Sequence, residues 1–274
     1  FSVYSGYVMG LGGLGALTAT KPFFYLNSLL NWKTSFLLSN IIIFFLIVFS
    51  FFLLKKRSGN LKNALANNIF DLNAFKLILT SKNFILMLPM SFFGYASFAF
   101  LLTLWGGNYL ETVKNIMPDD VSKILMLMAF SWTLGSFFYG KLIKYYKNKI
   151  QIVVISSLIL ILLFFMLLLI KYSSILIFYS IFILIGFFGS YTLVVLSHYR
   201  SLFDNKIIGK VLTTANLFNF AGVFFLHWGT GFILHLTVEK FNMQESTGFS
   251  ISFMAVIIFL LLSCLCYKGI NDKR

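Results

Sequence analysis

Thr213, Asn216, Asn219, His227 and Thr230 lie in one long apolar stretch. At 100° per residue they fall within about 120° of a single helix face. Amides, hydroxyls and an imidazole can hydrogen-bond a polar solute. In lipid such a stripe must point into protein, either gluing one helix to the next or lining a watery cavity, and both readings stay open. His227 alone reads as a satisfied interior histidine or as a proton carrier. In the preceding stretch Tyr179, Gly186, Ser190 and Ser197 share a second small and polar face, which could border the same cavity. Tyr95 and Trp105 add rings that could shape a pocket, although Trp at the end of a span also serves as an interfacial anchor. Lys21 sits within an apolar stretch, where an ammonium costs about 2.5–3.5 kcal/mol near a helix centre. It therefore needs a cavity, a partner or a route to the headgroups; in a cavity it would favour an anionic or zwitterionic solute.

Other chemistry is missing. No Asp or Glu falls inside the apolar stretches, so a proton relay built on a buried carboxylate is not expected. There is no phosphate loop, no nucleophile elbow and no Cys or His pair at metal spacing, so neither a metal nor another cofactor is expected. Cys264 and Cys266 are too close in an apolar run for an easy bridge and read as core thiols. The basic segments carry no aromatic stacking platform, which speaks against nucleic acid as a partner.

The elements that must position these residues follow from composition. Of 274 residues, 59% are hydrophobic and 11% charged, which excludes a water-soluble globule. The apolar residues come in runs of about 20, the length that crosses a bilayer as helix. Eight spans are predicted, at roughly 4–29, 35–54, 83–105, 123–141, 150–170, 175–197, 208–236 and 248–267, giving an all-α polytopic membrane protein whose first partner is the lipid bilayer. Pro22 and Pro89 should kink their helices. The segments 55–82, 141–149, 198–210 and 268–274 carry 16 Lys and Arg against three acids, whereas the other connections balance five against five. The positive-inside rule makes the basic side, and with it both visible termini, cytoplasmic. The polar stretch 58–82 reads as a cytoplasmic linker, with Leu61, Leu65, Ile69, Leu72 and Phe75 at the spacing of a surface helix.

Several local patterns together resemble the major facilitator superfamily of secondary transporters, from its fifth helix to its twelfth. They are the glycine-rich Gly10–Ala16 followed by Pro22 and by Asn31-Trp32-Lys33-Thr34-Ser35-Phe36; Thr103–Leu110; Gly135-Ser136-Phe137-Phe138-Tyr139-Gly140-Lys141 entering a basic loop; and Gly209 through Asn216 to Gly222. Lys144, Tyr145 and Lys147 depart from the loop signature common in that family. The resemblance implies a twelve-helix fold, with 1–57 the last two helices of an N-terminal bundle, 58–82 the linker and 83–274 a C-terminal six-helix bundle. Phe1 is not a start methionine, and four earlier helices are expected to be missing. The implied function is not enzymatic: alternating-access movement of a small hydrophilic solute, such as an amino acid or an organic anion, with proton or sodium coupling both open. The substrate residues expected are Lys21, Tyr95, Trp105, Asn216, Asn219 and His227, with Gly10, Gly13, Gly135, Gly140 and Gly186 for packing or gating. A membrane-embedded transferase and a non-transporting truncated remnant are the alternatives. With 19 Lys against three Arg and abundant Phe, Ile and Asn, the composition suggests an AT-rich bacterium, hence a bacterial inner membrane.

Overall fold

The computed structural model describes residues 2–55, 72–146, 148–170, 174–204 and 206–270, and every regular element among them is helical. Helices satisfy their own backbone polar groups, the condition for crossing hydrocarbon. In chain order they are α1 (Ser2–Thr18), α2 (Lys21–Leu29), α3 (Trp32–Lys55), α4 (Leu72–Thr80), α5 (Lys82–Val113), α6 (Pro118–Tyr145), α7 (Lys149–Leu169), α8 (Ile175–Leu202), α9 (Ile208–Lys240) and α10 (Glu245–Lys268). Seven of them, α3 and α5 to α10, are long and apolar enough to cross a membrane. α5 carries π-helical turns at Leu101–Trp105 and Tyr109–Val113, α8 turns at Ser190 and Tyr191, and α9 ends in a π-helical turn at His235–Lys240.

The first predicted span, 4–29, is not one helix. α1 ends at Thr18; the Thr18 and Thr20 hydroxyls donate back to the Gly15 and Leu17 carbonyls at 2.8 and 2.7 Å. Pro22 then stands in the first turn of α2, where a missing N–H removes no helical bond. Pro22 starts a helix instead of kinking one, so the eighth apolar stretch is delivered as the α1–α2 pair. Within the predicted linker, 72–80 is helical; Leu61, Leu65 and Ile69 of the predicted surface helix lie outside the described residues.

α5 packs on α9 and α10, α6 on α8, and α7 on α10, while α1 and α2 run along α6. The buried rings of Phe100, Phe164, Phe182, Phe249 and Phe253 fill the centre. Hydrogen bonds between elements occur at both ends as well as along the bundle. At the end holding the basic loops, Tyr267 Oη meets His198 Nδ1 at 2.7 Å and Tyr146 Oη donates to Gln151 Oε1 at 2.7 Å. At the opposite end Tyr109 Oη donates to the Leu167 carbonyl at 3.1 Å. α3 touches α2 through Phe23 and Phe36, 5.2 Å between ring centroids, and exposes its apolar side chains over most of its length.

Close helix crossings depend on glycine. A Cβ on Gly222 of α9 would run into the Phe92 carbonyl of α5. The α6–α8 crossing is reciprocal: Gly135 of α6 receives the Phe187 carbonyl and Ser190 of α8, and Gly186 of α8 receives the Met128 carbonyl of α6. That approach lets Ser131 Oγ donate across to the Ile183 carbonyl at 2.7 Å. The expectation that the Gly186 and Ser190 face borders a cavity is therefore corrected: α6 covers it, because two backbones can meet there. Gly140, predicted with the same group, is buried on α6 beside Tyr139, whose hydroxyl lies 2.6 Å from Ser156 Oγ of α7.

Gly222→Val should cost about 3 kcal/mol or more, because the obstacle is a backbone carbonyl that cannot rotate away. Gly12→Ala, with open space around its Cβ, should leave the thermal midpoint in detergent unchanged. Equal midpoints for the two variants would contradict this packing.

Candidate functional site

Near the middle of the bundle, aromatic rings from three helices form a row. Phe220 of α9 stands edge-on to Tyr95 of α5, 6.2 Å between centroids at 72°. Tyr95 is followed one turn later by Phe98 at 6.4 Å, and Phe98 stacks on Trp132 of α6 at 5.5 Å and 9°. Trp132 in turn borders Gly13 of α1. Its indole Nε1 is buried and has no hydrogen-bond partner. A buried donor without an acceptor is costly and calls for one from outside the protein, a water or a ligand.

The polar stripe of α9 divides in two. Toward the basic end, Asn216 is exposed and Asn219 buried at 8% exposure, with Asn219 Nδ2 3.5 Å from Asn216 Oδ1. Asn216 lies one helical turn before Phe220 and Asn219 directly before it. Toward the other end the stripe binds helix to helix: His227 Nε2 lies 2.9 Å from Thr103 Oγ1, and Trp105 Nε1 donates to the His227 carbonyl at 3.2 Å. Trp105 also packs edge-on against Phe249 of α10 at 6.0 Å. The structure thus brings Tyr95 to Phe220 of α9, and Trp105 to His227 in a separate cluster.

Lys21 belongs to neither group. It forms an ion pair with Asp119 at the start of α6, and Lys123 reaches Asp119 at 2.7 Å and Asp120 at 2.9 Å. The intramembrane lysine therefore has both a partner and a position at the bundle end, and its partner lies just before the predicted span 123–141. Asp119 precedes the apolar part of its helix, so in the sequence it reads as one of the charges of a connection. Solvent reaches these carboxylates and limits the strength of the pair. Below the pair, Gly10 of α1 receives the ring of Phe137 and Gly13 the side chain of Thr133, both of α6, so α1 and α6 meet along most of their length.

Sequence reasoning missed Trp132, Phe98 and Phe220. Trp132 did carry a signal, because tryptophan favours the membrane interface and this one lies in the middle of its helix. The model of the Major Facilitator Superfamily matches residues 2–226. No curated protein matches the chain.

The exposed Asn216 and buried Asn219 make distinct predictions. A cysteine at Asn216 should react readily with a membrane-impermeant thiol reagent and one at Asn219 markedly more slowly. Equal rates would contradict the division of the stripe described above.

Proposed function

The chain belongs to the Major Facilitator Superfamily of membrane transporters, and from that premise we propose that it moves a small hydrophilic solute by alternating access as a secondary active transporter. The observation that carries the reading is the unpartnered Trp132 indole at one end of an aromatic row that runs through Phe98 and Tyr95 to Phe220 of α9, the helix that also bears Asn216 and Asn219. An indole N–H, a phenol and two amides offer donors and acceptors, while Phe98 and Phe220 supply apolar walls, the mixture that orients a small solute in a pocket. Amino acids and organic anions fit such a set: a carboxylate or carbonyl oxygen would accept from Trp132 Nε1. The level of Trp132, in the middle of α6, agrees with substrate sites near the bilayer midplane.

In this reading His227, Thr103 and Trp105 hold α5 to α9, and Lys21 acts by closing the end of the bundle opposite the basic loops. The positive-inside rule makes that end external and the basic loops cytoplasmic. The α1–α6 contact, from Lys21 and Asp119 down to Gly10 and Phe137, then represents the state closed to the outside. Opening requires the ion pair to part and two side chains to leave shallow glycine notches, with no backbone hydrogen bond broken.

The test is uptake of labelled amino acids and organic anions into vesicles containing the full chain. Saturable uptake above that of protein-free vesicles is expected. Trp132→Phe, which keeps the stacked ring and removes the donor, should raise KM about tenfold, the effect of one lost hydrogen bond to a charged group. A transported solute whose KM is unchanged in both Trp132→Phe and Asn216→Ala would place the site elsewhere. Absence of saturable uptake across both solute classes would overturn the transport reading for them.

A further inference from the structure

We propose that the cavity at the bundle end opposite the basic loops holds the phosphate headgroup of an anionic phospholipid, with Lys114 as its charged anchor. The cavity has a volume of about 470 Å³, within the range that accepts a small organic group. Three helix ends meet around it: Lys114 follows Val113, the last residue of α5; Ile170 follows Leu169, the last of α7; and Gln244 precedes Glu245, the first of α10. Its walls are graded. Lys114, Gln244, Ser246 and Ser250 supply polar groups, and Leu167 and Phe253 supply apolar ones. A site that is polar at the level where spans end and apolar just below it matches a lipid, whose headgroup and first acyl carbons have the same order.

Among the described residues the partners of Lys114 are uncharged. Its ammonium donates to the Ile170 carbonyl and lies 5.4 Å from the Tyr109 centroid and 5.7 Å from that of Phe178. Rings and a carbonyl orient a cation but bring no negative charge. Among the described residues no carboxylate pairs with Lys114, although Glu111 stands three positions before it and Glu245 follows the cavity-lining Gln244, both exposed. Burial lowers the affinity of the Lys114 amine for its proton, and an anion in the cavity would offset that penalty. Gln244, at the N-cap of α10, makes no side-chain capping bond, and although its carbonyl accepts from Thr247 N–H at 2.9 Å, the start of the helix still adds a partial positive charge beside the cavity. The site lies apart from the Trp132 row and does not depend on the transported solute.

The experiment is native mass spectrometry of the full chain with phosphatidylglycerol and phosphatidylcholine of identical acyl chains. Preferential retention of phosphatidylglycerol is expected. Lys114→Gln should weaken that binding about fivefold, the factor one lysine contributes near an anionic surface. Lys114→Arg should retain it, and Lys240→Gln, an exposed lysine at the same end, should leave it unchanged. Equal retention of the two lipids by the unaltered chain, or undiminished phosphatidylglycerol binding in Lys114→Gln, would overturn the proposal. Displacement of phosphatidylglycerol by millimolar glycerol 1-phosphate would overturn the lipid assignment in favour of a soluble phosphate.

Discussion

The close approach of helix backbones at a few glycines is the constraint on which the rest of the structure depends. Hydrocarbon gives no hydrophobic drive between helices, so association rests on packing and on hydrogen bonds that close contact permits. α6 is held in two different ways. Toward α8 the notches are reciprocal, Gly135 and Gly186 each receiving a backbone carbonyl from the other helix, and Ser131 ties the crossing with a bond to the Ile183 carbonyl. Toward α1 they lie on one helix, Gly10 and Gly13, and receive side chains, Phe137 and Thr133. A carbonyl seated in a notch cannot withdraw without moving its helix; a side chain can rotate out. The first contact therefore fixes α6 within the bundle, and the second lets α1 separate from it.

That asymmetry places the Trp132 row at the boundary between a fixed and a movable part. Trp132 is stacked on Phe98 from the bundle side and borders Gly13 from the α1 side, so withdrawal of α1 would uncover the indole whose N–H has no partner. The ion cluster of Lys21, Asp119, Lys123 and Asp120 lies at one end of the same boundary. Exposed to water, it contributes little to stability, a suitable strength for a contact that the proposed transport cycle would break.

Much of the fold was legible because burial in lipid writes itself along the chain as long apolar runs. Seven of those runs are single helices. The eighth was misjudged at Pro22, since a proline in a kinked helix and one opening a new helix look alike until the Thr18 and Thr20 hydroxyls are seen turning back on α1. Helical angles put Asn216, Asn219 and His227 on one side of α9, but an angle says nothing about which neighbour that side meets at each depth. His227 meets Thr103 while Asn216 stays exposed. The partner of Lys21, 98 positions away, and the row joining Phe220, Tyr95, Phe98 and Trp132 across three helices are tertiary facts with no local pattern to announce them.

The central claim is that α1 and α2 move against a fixed α6–α8 pair. Distances between spin labels in the bilayer test it most directly, with one label pair at Ser28 and Met117 across the movable contact and another at Met117 and Leu176 across the fixed one. All three positions are exposed. The account predicts two distances for the first pair, with Lys21→Gln enriching the longer, and one unchanged distance for the second. A single distance for the first pair that Lys21→Gln leaves untouched would contradict it.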